Sequence, residues 1–213
     1  MIVLVRQRQR PDITSKNVES REQLLAMVKE DETVRNELAL SGALFGGYHP
    51  RMEAVHVANA LALGSMIDNG WPTVAEVGEE GQRATWLIVQ HAIGLPQFQR
   101  QCLALLQAAS ARGEVPAWQV AMLTDRVRVF EGRPQFYGTH FDWDADGHMS
   151  PLPIEDASSV EERRAHVGLE SLAEAIARQR REAQESGHQP PADHAEHAAR
   201  SEAWAVHAGW RQG

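Results

Sequence analysis

Two histidines stand on helix faces that should otherwise be apolar. His91 lies in Trp86-Leu87-Ile88-Val89-Gln90-His91-Ala92. Ala84, Leu87, Ile88 and His91 follow the i, i+3, i+4, i+7 spacing, so the imidazole shares the stripe that should face a core. An imidazole there must find partners for both ring nitrogens or do chemistry. With an unperturbed pKa of about 6.5 it suits proton transfer at neutral pH, and in its neutral form it ligates metals. His56 raises the same question one helix earlier, with Asn59 a turn away on a face that also carries Leu63. A buried polar group left unpaired costs roughly 1–3 kcal/mol. Both residues must therefore bond each other, another buried group, water or a ligand; a helix-to-helix hydrogen bond is the plain structural alternative. If these two helices pack antiparallel, His56 and His91 point into one cavity.

Asp125, in Thr124-Asp125-Arg126-Val127, is the candidate carboxylate. It can accept an imidazole N–H, as carboxylates do in catalytic triads and around metals, or it forms a surface ion pair worth about 0–1 kcal/mol. Gln90, Asn59, Arg126, Tyr137 and Thr139 are the candidate substrate-binding residues. In Tyr137-Gly138-Thr139 the glycine permits close backbone approach while the flanking hydroxyls can line a pocket mouth; a β-bulge with a half-buried Tyr is the structural alternative. Arg164 is either an oxyanion clamp or a bridge to the last helix.

Three functional readings follow. In the first, a cofactor-independent acid–base enzyme, a hydrolase or lyase, acts on a small peptide-like or amino-acid-derived metabolite. His91 is its general acid or base, oriented by Asp125 or Gln90; His56 is the second proton carrier, and Tyr137 and Arg126 hold the substrate. In the second, a divalent metal sits between His56, His91 and a carboxylate such as Asp125, leaving positions open for water or substrate. In the third, the polar residues of a non-catalytic module specify a ligand or protein partner. Gly-x-Ser-x-Gly, His-Glu-x-x-His, and the Walker and Rossmann glycine patterns are absent from the sequence.

The elements that must position these residues are mainly helical. The pattern predicts a single-domain bundle of about six helices with a small two-stranded β-ribbon near residues 135–152. Ser20 to Gln23 has the spacing of a capping box, opening a helix over about 21–40 with Leu24, Leu25, Val28, Val34 and Leu38 inward. Pro50, Pro96 and Pro116 mark helix starts, while Gly70, Gly113 and Gly132 mark stops. Thr73 to Glu76 is a second capping box, Gly78 a break, and 79–93 the next helix. Ser159 with Glu162, and Ser171 with Glu174, cap two later helices. Asp144-Ala145-Asp146-Gly147 reads as the ribbon's turn. Residues 1–19 read as a loosely held arm, 20–185 as the helical domain, and 186–213 as a flexible tail with at most a weak helix around 193–207. Its His188, His194 and His197 are weak evidence for a metal.

Across 213 residues the net charge is -8, which disfavours a broad grip on nucleic acid or an anionic membrane. Cys102 is the single cysteine, which excludes an intrachain disulfide and the common zinc-finger patterns. The short apolar run Met1 to Val5 precedes its arginines, the reverse of a secretory signal, and no stretch approaches a membrane span. A cytoplasmic protein with a small-molecule substrate is the expectation; its oligomeric state is not readable.

The series Trp86-Leu87-Ile88-Val89-Gln90-His91-Ala92, Asp125-Arg126-Val127, Tyr137-Gly138-Thr139, Pro153-Ile154-Glu155-Asp156 and Arg163-Arg164 with Gly168-Leu169 resembles a bacterial domain family of unknown function. His49-Pro50 with Met52 and His56, and Gly70-Trp71-Pro72, fit the same pattern over about 45–175. The resemblance implies a mostly helical fold with a polar centre. It also implies Gln as a frequent residue where this chain carries His140.

Overall fold

The computed structural model describes residues 15–68 and 70–212, so most of the expected N-terminal arm lies outside the described residues. The fold is mainly α. Among the described residues there are eight α-helices rather than about six: α1 (Ser15–Leu40), α2 (Pro50–Met66), α3 (Val74–His91), α4 (Pro96–Ala111), α5 (Ala117–Phe130), α6 (Val160–His166), α7 (Leu172–Glu185) and α8 (His194–His207). Strands β1 (Phe141–Trp143) and β2 (Met149–Pro151) form one antiparallel ribbon, with Asp142 opposite Ser150. No helix among the described residues is long and apolar enough to cross a membrane.

The first helix starts earlier than expected. Ser20 to Gln23 lie inside α1, not at its cap, and Arg21 reaches across to pair with Glu80 on α3, tying the extra turns down. The buried residues of α1 are Leu24, Met27, Asp31 and Leu38, so its inward stripe contains a carboxylate. This stripe packs chiefly on α3 and also on α2. Leu24, Leu63, Val89, Cys102, Leu106 and Leu123 are fully buried in one core cluster contributed by α1 to α5. Burying each Leu there stabilises the fold by roughly 1.5–3 kcal/mol. Burial also pushes the Cys102 thiol up to about 12, consistent with a packing residue.

The helix punctuation follows the chain's prolines and caps. Pro50 and Pro96 open α2 and α4, and Pro116 is the N-cap of α5. The Thr73 amide and hydroxyl both donate to Glu76 Oε2 at 2.8 Å, forming the expected capping box of α3. Gly78 (φ 71°, ψ 171°) is non-helical and kinks α3, the break expected at that glycine. Ser171 and Glu174 cap α7 reciprocally. Ser159 donates its hydroxyl to Asp156 instead of capping α6 with Glu162.

Two further expectations are corrected. The ribbon begins only at Phe141, because residues 136–139 give their backbone polar groups to side chains, while Gln135 makes an isolated parallel bridge to Ile154. The segment 186–213, read as a flexible tail with a weak helix around 193–207, does form that helix as α8, but it and a terminal turn pack on the bundle rather than hanging free. Trp210 is 4% exposed, and its indole N–H donates to the Ile93 carbonyl at 2.7 Å. Arg211 donates to the carbonyls of Val129 and Phe130, both at 2.8 Å, satisfying the free end of α5. Trp204 sets its edge against Phe130. Two tryptophans supply enough apolar area to dock a segment whose other residues are mostly small or polar.

Candidate functional site

Helices α1, α2 and α3 each turn one ionisable side chain inward at a common point. Asp31 occupies the place in the α1 stripe where an apolar residue would continue the core, and it is 4% exposed. His56, midway along α2, is 9% exposed. His91 is the last residue of α3 and is half-buried. His91 Nδ1 lies 2.8 Å from Asp31 Oδ2, and His56 Nε2 lies 3.0 Å from the same oxygen. The two ring centroids are 5.2 Å apart. The expected convergence of His56 and His91 is therefore present, but the carboxylate between them is Asp31.

Tyr48, two residues before α2, completes the cluster. Its hydroxyl is 2.9 Å from His56 Nδ1, and its ring stacks on the imidazole at 5.6 Å. Burial, reinforced by the nearby charges of Glu53 and Asp31, pushes the Tyr48 hydroxyl well above its ordinary range, so it stays a phenol. A phenol can donate to Nδ1, which leaves the proton on Nε2 facing Asp31. It can equally accept from Nδ1–H, which leaves an Nε2 lone pair facing Asp31 and His91; that second tautomer is the one metal ligation requires.

Burial would raise the Asp31 pKa, but the hydrogen bonds and charges of His56 and His91 outweigh it and hold the carboxyl well below the usual carboxylate range. Asp31 is an anion flanked by two imidazoles. Two atoms of the cluster are nevertheless sealed from solvent without an aligned partner: Asp31 Oδ1 and His56 Nε2. The approach of Nε2 to Asp31 is close but poorly directed for an N–H donor. Asp31, His56 and His91 can each present one ligand atom, all within 4.8 Å of one another. A tetrahedral zinc with bonds of roughly 2.0–2.1 Å holds its ligand atoms roughly 3.3 Å apart, so small movements would bring this set to ligating distances.

The other candidate residues divide. Gln90 (3% exposed) accepts from Arg126 Nε at 2.6 Å, which joins α3 to α5. Asn59 donates to the Met27 carbonyl at 3.2 Å, the helix-to-helix bond that was its structural alternative. Asp125 does not orient an imidazole. Fully buried, it accepts the backbone N–H groups of Phe136, Tyr137 and Thr139 and the Thr139 hydroxyl, at 2.7–3.2 Å. The Thr139 hydroxyl is thereby taken up in holding its own loop. Tyr137 stands half-buried in that loop, its ring edge-on to Phe136 at 5.1 Å. Arg164 donates to the carbonyls of Tyr137, Gly138 and Glu170, so it is a bridge and not an open clamp. Gly138 (φ 68°) is required there: a Cβ would lie 2.7 Å from Ile154 Cδ1.

Sequence reasoning missed Asp31 and Tyr48. The signal for Asp31 was present in the 24, 27, 31, 38 spacing of the α1 stripe. Tyr48 precedes its helix, where no periodicity could mark it. Two surface hollows lie elsewhere, one of about 540 Å³ between the ribbon and α8 and one of about 630 Å³ beside the start of α3. Asp31, His56 and His91 line neither.

No curated protein and no solved structure matches this chain. A family model does match, over residues 18–184, a span that takes in Asp31, Tyr48, His56 and His91 and leaves out α8. The chain therefore belongs to DUF6624, a family of unknown function.

Proposed function

We propose that this chain is a hydrolytic enzyme for a small metabolite, and that Asp31, His56 and His91 hold a divalent metal at its centre. The observation that carries this reading is the buried cluster of two imidazoles and one carboxylate, whose ligand atoms lie within 4.8 Å of one another while Asp31 Oδ1 is left without a partner. A buried acceptor left unpaired is costly, and a cation offers the Asp31 carboxylate a partner. Two His and one carboxylate is a set that leaves positions open for water or substrate. Such an ion would polarise a substrate carbonyl and make water acidic enough to react near neutral pH.

The chain's own residues supply the rest. Asp31 contributes the negative charge. Tyr48 fixes the ring orientation of His56, an outer contact of the kind whose loss costs 10–100-fold in affinity. His91, the most exposed of the three, stands where the cluster opens to solvent.

The test is zinc titration of chelator-treated, tag-free protein by calorimetry, followed by a panel of ester and amide substrates with and without metal. One ion should bind per chain, and binding should be lost in His56→Gln and in Asp31→Asn. If the wild type binds none, or if both variants bind like the wild type, the metal centre is wrong. A second reading has its own support: the 2.8 Å bond from Asp31 to His91 Nδ1 resembles a metal-free acid–base dyad, with His91 Nε2 as the proton carrier. Activity in rigorously metal-free protein that is lost in His91→Gln selects that reading.

A further inference from the structure

Arg126 carries a charge that the bundle does not balance. It is half-buried on α5, and among the described residues its one hydrogen-bond partner is neutral, Gln90 Oε1 at 2.6 Å. No carboxylate among the described residues pairs with it, in a chain whose other inward-turned arginines meet Glu side chains or backbone carbonyls. Burial lowers its pKa only to about 10, so it remains a cation at neutral pH. Its terminal nitrogens are not among the atoms sealed from solvent, so they keep some accessible surface.

Two further polar atoms nearby lack partners. Gln90, 3% exposed, has an unpaired Nε2 donor. His140 lies within electrostatic reach of Arg126 and bonds the Met122 carbonyl. Its Nε2 is sealed and unpaired. Burial and the Arg126 charge push the His140 pKa down to about 3, so at neutral pH that nitrogen is a bare acceptor. A guanidinium fork beside an unpaired amide donor makes up a receptor for an oxyanion.

We propose that Arg126 and Gln90 bind the oxyanion group of a substrate, a carboxylate or a phosphate. This deepens the reading above and rests on it for the word substrate: Gln90 directly precedes His91, so the oxyanion subsite and the metal cluster share the last turn of α3. An anion held by Arg126 would also neutralise the one unbalanced charge in this part of the bundle.

The test is calorimetric titration of the full chain with inorganic phosphate and, separately, with acetate, at constant ionic strength set by chloride. The two arms separate the phosphate and carboxylate sources. At least one anion should bind saturably, with affinity about tenfold or more weaker in Arg126→Met and several-fold weaker in Gln90→Leu. His56→Gln, which disables the proposed metal centre, should bind the anion within about twofold of wild type. Absence of saturable binding by either anion overturns the proposal, as does unchanged affinity in Arg126→Met. Binding abolished by His56→Gln places the anion on the metal and overturns it equally. Should Arg126→Met not fold, Arg126→Lys keeps the charge and removes the fork, and unchanged affinity in both Arg126→Lys and Gln90→Leu has the same meaning. Failure of zinc titration with anion binding intact would sink the metal centre alone.

Discussion

Asp125 receives four donors from one short loop, and that concentration decides its role. A carboxylate already accepting from three backbone N–H groups and a hydroxyl has little capacity left for an imidazole. Removing it strands those donors under cover. Asp125→Ala should therefore destabilise the fold by about 3–5 kcal/mol, the range for breaking a buried charged network. Chemical denaturation measures this, and zinc affinity of the folded fraction should stay at the wild-type value. A loss of zinc affinity at unchanged stability would return Asp125 to the active centre. The same scale shows what periodicity can reveal. His56 and His91 were legible because polar side chains interrupted apolar stripes, and Asp31 interrupted the α1 stripe in the same way. That reading requires knowing which face of α1 is inward, and Leu25, Val28 and Val34 offered an alternative face that the structure leaves only half-buried. Asp125 was singled out by residue type alone, and type does not tell a loop anchor from a catalytic carboxylate.

At the level of elements, proline and glycine punctuation marked α2 to α5 because those residues act through local backbone geometry. α8 itself was readable as a weak helix around 193–207, but its docking was illegible for the opposite reason. Its anchoring contact, from Trp210 to the Ile93 carbonyl, spans 117 residues, and no local pattern encodes a partner so distant. α8 also lies beyond the family-matched span, yet Trp204 sets its edge against Tyr48, whose hydroxyl contacts His56. The cluster is thus braced from outside the matched span. Replacing Trp210 with Ala removes a buried indole and leaves the Ile93 carbonyl without its donor. The expected loss is about 3–5 kcal/mol, as for other buried aromatic truncations. It should appear as a lower melting temperature together with faster amide exchange across α8. A change below about 0.5 kcal/mol, the level of an ordinary surface substitution, would mean that the segment is held as loosely as its composition first implied.

For the molecule as a whole, the buried groups set how stability responds to acid, and two of them act in separate windows. His140 has a folded pKa pushed from 6.5 down to about 3. The unfolded chain therefore takes up this proton first, and stability falls as pH drops from about 6.5 toward about 3. Asp31 has a folded pKa held well below its ordinary value. Its contribution is complete above the unfolded pKa of about 3.9 and is lost as pH falls below it. Half-buried Asp144 and exposed Asp156 and Glu174, also lowered, add to the acid limb in every variant alike. Between about pH 4.5 and 6 the slope is accordingly assigned to His140, with a ceiling of about 1.4 kcal/mol per pH unit for one proton. Urea unfolding at half-unit intervals from pH 3 to 8 separates the two. His140→Gln should flatten the upper window and leave the lower limb in place. Asp31→Asn should leave the slope above pH 5 unchanged and reduce the loss below about pH 4. An upper slope that survives His140→Gln would show that this imidazole is not buried as a neutral group.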